Sequence, residues 1–214
     1  MIATCAHCGS KTEVVASESL PEPAGPPDFD TRPAEPLRHT LTDWIQFCPH
    51  CGYASDDINH CTPEAKAIVD SAAYTAVLEN QTHPLASRRF LAYAYLLDRL
   101  HQHGDAGWSS LHAAWVCDDL NESVAATLCR AQAIEHWQGG KRVGQSFGDD
   151  LASEFALVTD VYRRMGEFEN ATVTCAEALD IEDLVPILER LLRRQMTLIT
   201  ARDTSAHNMK ELLS

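Results

Sequence analysis

Two short cysteine pairs constrain this chain more than any other feature. Cys5-Ala-His-Cys8-Gly9 and Cys48-Pro-His-Cys51-Gly52 are both C-x-x-C-G units. Such a turn aims two sulfurs at one point, and the glycine that follows permits the tight backbone. Two units supply four thiolates, which is the closed tetrahedral shell of a structural zinc ion. The expected ligands are therefore Cys5, Cys8, Cys48 and Cys51, holding Zn²⁺ in a structural role. The pattern predicts that residues 1–63 form a zinc-ribbon-like module. Leu41, Trp44-Ile45-Gln46-Phe47 and Tyr53 read as short strands flanking the second turn.

Other readings of these residues exist. Cys48-Pro-His-Cys51 is also a dithiol sequence of some thioredoxin-fold oxidants, which place it at the start of a helix. Here Gly52-Tyr53 follows, and no helical pattern begins before about Glu64. A catalytic zinc needs an open position, which four thiolates do not leave. His7 and His50 lie between paired thiols, where a third ligand from one turn is strained, so both are expected to face solvent. His60-Cys61 reads as connector before Pro63, with a contribution to a metal site left open. Cys117, Cys129 and Cys175 fall on apolar helical faces and read as small hydrophobes.

Between the turns, Pro21, Pro23, Pro26, Pro27, Pro33 and Pro36 mark a proline-rich insertion, expected to lie exposed. Its length costs little once the metal closes the loop. The chain carries a net charge of −14. Residues 1–63 hold Lys11, Arg32 and Arg38 against nine acidic residues. Nucleic-acid affinity comes largely from Lys and Arg neutralising phosphates, so this balance argues against that partner. It argues equally against docking on anionic membranes. No apolar run approaches the roughly 20 residues of a spanning helix. The start of the chain lacks the basic and apolar stretches of a signal peptide. The expected location is cytoplasmic, where thiols stay reduced.

From Thr62-Pro63-Glu64 onward the pattern turns helical, with Thr62 as N-cap and Pro63 at the first helical position. Residues 64–214 are predicted to form a second, helical domain, with helices over about 64–80, 84–103, 107–120, 122–138, 149–165, 168–181 and 184–201. Gly104, Gly107, the Gly139-Gly140 pair and Gly166 are read as punctuation. Gly139-Gly140-Lys141-Arg142-Val143-Gly144 lacks the order of a P-loop and reads as a flexible linker. Phe155, Val158, Thr159 and Tyr162, then Gly166, Phe168, Ala171, Cys175 and Ala178, follow the pattern of a tetratricopeptide repeat. A weaker copy spans Trp108–Trp137, with Ala114, Ala126 and Ala133 at the small positions and Asn121 where Gly166 stands. The predicted fold class is mostly α: a tetratricopeptide-like stack of helical hairpins with a small N-terminal zinc module. The helix from residue 184 carries an apolar face and should cap the stack.

Taken together, the chain resembles the bacterial domain-of-unknown-function family 2225, in which paired C-x-x-C knuckles precede tetratricopeptide-like helices. The resemblance is carried by Cys5, Cys8, the run Trp44–Tyr53, Ala114-Trp115 and Asp160–Phe168. It covers most of the chain, and the second knuckle is its most specific part. It implies an architecture and leaves the activity open.

The functional expectation is a non-catalytic scaffold or adaptor that binds a partner protein or peptide in the helical groove. Carrying over the repeat positions places Asp160, Arg163 and Arg164 on the groove, where the arginines can hold a carboxylate bidentately. The alternative is that they are solvated surface charges. Trp108 and Trp115 are seven apart, hence on one face, as anchors or as core. Two other functions stand beside this one: a nucleic-acid-binding zinc ribbon, and a C-x-x-C thiol–disulfide oxidoreductase. No H-E-x-x-H, G-x-S-x-G or Rossmann glycine pattern marks an enzyme. The pairing of His112 with Asp119 is weak evidence for a dyad. Oligomeric state is not encoded in any of these patterns. If the thiolates hold a metal, chelation should unfold residues 1–63 and leave most of the helical circular-dichroism signal of 64–214 in place.

Overall fold

A computed structural model describes residues 1–213. Among them the chain is mostly helical, with a cysteine cluster near the N-terminus. The N-terminal strands β1 (Ile2–Thr4) and β2 (Lys11–Glu13) pair antiparallel, Ala3 opposite Thr12. Strands β3 (Gln46–Phe47) and β4 (Ala54–Ser55) do the same, Phe47 opposite Ala54. Each C-x-x-C turn is thus the tip of its own hairpin.

The helices are α1 (Pro63–Val69), α2 (Ala72–Glu79), α3 (Leu85–Arg99), α4 (His103–Asp119), α5 (Ser123–Arg142), α6 (Leu151–Met165), α7 (Phe168–Leu179) and α8 (Pro186–Thr200). Thr62 caps α1 by accepting from the Ala65 N–H at 3.2 Å, with Pro63 at the first position as expected. The continuous helix expected over 64–80 is broken at Asp70-Ser71. Ser71 donates to the Ile68 carbonyl (2.6 Å) and accepts from the Tyr74 N–H (3.2 Å), so its hydroxyl closes one helix and opens the next. Asn121 and Gly166, matched in the two sequence copies, both adopt left-handed backbone, with φ of 59° and 79°.

Two glycine readings are corrected. Gly107 lies inside α4 and is buried, because the Trp137 ring of α5 occupies the space a side chain would need. A Cβ there would meet Trp137 Nε1 at 2.1 Å. Gly139-Gly140 continue α5 instead of forming a linker. Gly140 faces the start of α4, where a Cβ would come within 3.3 Å of His103 Cβ. Close helix approach outweighs the roughly 1 kcal/mol helix penalty of glycine.

The chain divides into two compact units that cut across the expected boundary at residue 63. One comprises Met1–Glu22 and His39–Gln145, the other Pro23–Arg38 and Ser146–Ser214. In the first, α3, α4 and α5 pack in sequence, with Ala114, Ala126 and Ala133 all buried where close crossings were expected.

In the second, α6, α7 and α8 pack on one another, and Ala171, Cys175, Ala178, Leu191 and Leu192 are buried. Part of the proline-rich insertion joins this core. Phe29 is buried among these side chains. The Phe29 N–H donates to the His207 carbonyl (2.8 Å), and the Met209 N–H to the Pro27 carbonyl (2.9 Å). Asn208 Nδ2 donates to Asp28 Oδ1 at 3.0 Å, and Arg38 pairs with Asp28. The insertion is therefore exposed at Pro23, Pro27 and Pro36, as expected, but docked and buried at Asp28, Phe29, Asp30 and Arg32. Asp28 and Asp30 meet Arg38 and Arg164, which replaces hydration with charge-assisted hydrogen bonds.

Arg163 lies at the centre of this unit, fully buried. Its Nε and Nη2 donate to Asp160 Oδ1 (3.1 and 2.6 Å), and Nη1 donates to the carbonyls of Asp203 (2.6 Å) and Ser205 (2.9 Å). Burial raises the Asp160 carboxyl and the Arg163 guanidinium opposes that rise. Removing one member of such a pair leaves a buried, uncompensated charge. Arg163→Ala is expected to destabilise this unit by about 3–5 kcal/mol in denaturant unfolding. At the exposed N-cap Asp150, which accepts from the Ser153 N–H at 2.7 Å, substitution by Ala should cost about 1 kcal/mol.

Candidate functional site

The two C-x-x-C turns are built alike. The Gly9 N–H donates to the Cys5 carbonyl (2.7 Å) and the Gly52 N–H to the Cys48 carbonyl (2.8 Å). The Cys5 N–H donates to Ser10 O (2.9 Å) and the Cys48 N–H to Tyr53 O (2.8 Å). Both glycines have positive φ, 76° and 78°, which is why glycine follows each pair. At Gly52 space is also closed, since a Cβ would meet Leu78 Cδ1 at 2.7 Å.

The tips converge. Cys5 Sγ lies 3.7 Å from Cys51 Sγ, and Cys8 Sγ lies 3.7 Å from Cys48 Sγ. The four sulfurs all fall within 4.8 Å of one another, and the cysteines are free of disulfides. Four sulfurs bound about 2.3 Å from one centre stand about 3.8 Å apart, so the spacing fits a tetrahedral metal shell. Cys5 and Cys48 are buried, Cys51 is half-buried and Cys8 exposed. Burial pushes the thiols of Cys5 and Cys51 up. Hydrogen bonds from Ser10, first its side chain and then its backbone, draw Cys8 down to about 6. Four adjacent thiolates repel, and a divalent cation among them relieves that repulsion.

The site is anchored from both sides. The Ala6 N–H donates to Ile58 O (2.9 Å), and the Ile58 N–H to Gln46 Oε1 (3.0 Å), so the segment after β4 ties the two hairpins together. Tyr74 of α2 donates its hydroxyl to Gly52 O (3.0 Å) and accepts from the Ala54 N–H (3.0 Å). His50 is exposed, as expected. His7 is not turned to solvent: its Nε2 lies 2.9 Å from Asp70 Oδ1. His60 pairs with Asp57 at 2.6 Å, and Cys61 Sγ lies 3.8 Å from Thr62 O, both outside the sulfur cluster.

The expected partner groove on α6 is corrected. Asp160 and Arg163 are buried and bonded to each other, and Arg164 Nη1 donates to Asp30 Oδ2 at 2.9 Å. Segments 28–30 and 203–205 supply the counter-charges and carbonyls that a peptide was expected to bring. The two tryptophans separate. Trp115 is 2% exposed and belongs to the core, while Trp108 is half-buried at a surface cleft.

That cleft was not legible in the sequence, because its walls come from three distant segments. It has a volume of about 570 Å³ and is lined by Trp44, Phe90, Tyr93 and Trp108 together with Asp56 and Asp105, among others. Its described lining contains no Lys or Arg. His112 also lines it, with ring centroids 5.2 Å from Trp44 and 4.8 Å from Trp115. Burial, then the negative charge of Asp56, pushes the Tyr93 hydroxyl far up.

Comparison with known proteins finds no matching family model, no matching curated protein and no matching solved structure. Among the described residues no helix is long and apolar enough to cross a membrane.

Because Tyr74 grips the second turn, removing metal from the sulfur cluster should loosen more than the hairpins. Hydrogen exchange should rise in residues 46–55 and 72–79 together and stay unchanged in 151–165. Metal uptake at pH 7 should release protons, and affinity should fall as pH is lowered, since each thiol must ionise to ligate.

Proposed function

We propose that this protein is a zinc-stabilised, non-catalytic scaffold that binds a positively charged segment of a partner protein in the aromatic cleft of its first unit. The observation that carries this reading is the cleft's chemistry. Trp44, Trp108 and Tyr93 line it with aromatic surface, and Asp56 and Asp105 supply negative charge. A Lys or Arg side chain gains from both, about 0.5–1 kcal/mol for a cation over an exposed aromatic face and up to about 1 kcal/mol from the exposed carboxylates. The net charge of −14 draws the same class of partner over longer range.

In this reading the four cysteines hold Zn²⁺ as a structural ion, and the paired hairpins form a zinc ribbon. The helical pairs are tetratricopeptide-like, as the resemblance to family 2225 implies, and the protein works in the cytoplasm. Carboxylates in the cleft repel phosphate, which weighs against the nucleic-acid alternative. A dithiol oxidant needs two cysteines poised alone, whereas here four sulfurs share one point.

The test is tryptophan fluorescence with short Lys/Arg-rich peptides and their Glu-rich counterparts. The basic peptides should bind, more weakly as salt rises. Trp108→Ala, and separately Asp56→Asn with Asp105→Asn, should each weaken binding at least about tenfold, or about 1.4 kcal/mol. Equal binding of basic and acidic peptides, or no effect of these substitutions, would sink the proposal.

A further inference from the structure

The sequence reading treats Cys117 and Cys129 as small hydrophobes. Their surroundings are not those of hydrophobes. Cys117, near the end of α4, and Cys129, in the middle of α5, meet Ser87 of α3 and His83, which lies just before α3. Cys117, Cys129 and Ser87 are fully buried and His83 is 8% exposed. Cys129 Sγ lies 3.5 Å from His83 Nδ1 and 3.6 Å from Ser87 Oγ, and Cys117 Sγ lies 3.3 Å from Ser87 Oγ. The ligand atoms of His83, Cys117 and Cys129 all fall within 4.8 Å of one another. By contrast Cys175, the remaining buried cysteine, donates to Leu192 O at 3.2 Å and lies among apolar side chains.

We propose that His83, Ser87, Cys117 and Cys129 form a second metal site, selective for Zn²⁺. The geometry carries the argument. With sulfurs about 2.3 Å, and a nitrogen and an oxygen about 2.0–2.1 Å, from a tetrahedral ion, the edges that include a sulfur are about 3.5–3.8 Å. Two of the observed separations fall in that range and the third is 0.2 Å short of it. The donor set is thiolate and imidazole, which suits zinc and copper and does not suit calcium or magnesium. Charge separates the first two. Two thiolates cancel the charge of Zn²⁺, whereas Cu⁺ would leave a net negative charge in a sealed interior, where an uncompensated ion costs several kcal/mol. Arg130, next to Cys129 in sequence, has its own charge balanced by Asp118, to which it donates two hydrogen bonds at 3.1 and 2.5 Å. With Ser87 at the fourth vertex and the sulfurs shielded from water, the site is structural. It pins α3, α4 and α5 at one end of their stack.

This assignment is independent of the cleft and of the first cluster, and the experiment keeps them apart. Elemental analysis of the full chain, purified with zinc present, should give two zinc ions per chain. Cys117→Ala with Cys129→Ala, and His83→Ala alone, should each lose one. Cys5→Ala with Cys8→Ala should keep one. Refilled with Co²⁺, that last variant should show tetrahedral d–d bands and a sulfur-to-metal charge-transfer band weaker than the four-thiolate site gives. Metal content unchanged between wild type and the Cys117/Cys129 variant would overturn the site. So would a Cys5/Cys8 variant that takes up no cobalt, or an intact mass short by two hydrogens with a Cys117–Cys129 disulfide mapped by proteolysis.

Discussion

The convergence of four cysteine sulfurs organises the first unit. Neither hairpin is longer than three residues per strand, and neither has an apolar face wide enough to hold itself together. What fixes them is the meeting of Cys5 with Cys51 and of Cys8 with Cys48, contacts that bridge 46 and 40 positions of sequence. Each contact joins one hairpin to the other, so closure of the cluster assembles both at once. Tyr74 then carries that order into the helices through the Gly52 carbonyl and the Ala54 amide. The cluster's tips are thus coupled to a helix whose sequence contains no cysteine.

The second unit is organised by buried charge. Asp160 and Arg163 share the interior with Asp30 and Arg164, and the insertion and the C-terminal segment complete their hydrogen bonding. Such pairs add little net stability against an apolar core of the same shape. They do demand partners in specific places. Segments 28–30 and 203–205 have little regular structure of their own, and the charges of α6 give each a defined seat. A second set of hydrogen bonds fixes the C-terminal turn: His207 lies 3.1 Å from Asp203 and 2.9 Å from Glu211, and Arg194 adds a bond to Glu211 at 3.0 Å.

How far the sequence could be read depended on how local each signal was. Thr62-Pro63 announced α1 because a cap and a first-position proline act within one turn. The glycines after each C-x-x-C announced their left-handed backbone for the same reason. Gly107 and Gly139-Gly140 were misread because the deciding partners, Trp137 and His103, lie 30 or more positions away. Arg163 was misread because exposure is the usual state of arginine, and nothing near it in the chain reveals Asp203 or Ser205. The cleft of Trp44, Trp108 and Asp56 left no sequence signal, since three segments build it. His83, Cys117 and Cys129 left only two isolated thiols on helical faces.

By itself the sequence determined the local chemistry: which turns carry paired thiols, where α1 begins, and which positions must be small. Those outcomes are settled by backbone sterics, capping and side-chain volume over a few residues. Tertiary structure decided which surfaces stayed open. Whether an arginine meets solvent or a buried carboxylate, and whether a cysteine is filler or a ligand, turns on which distant segments pack beside it. The desolvation of charged and thiol groups is set by the whole neighbourhood, which no short stretch of sequence contains.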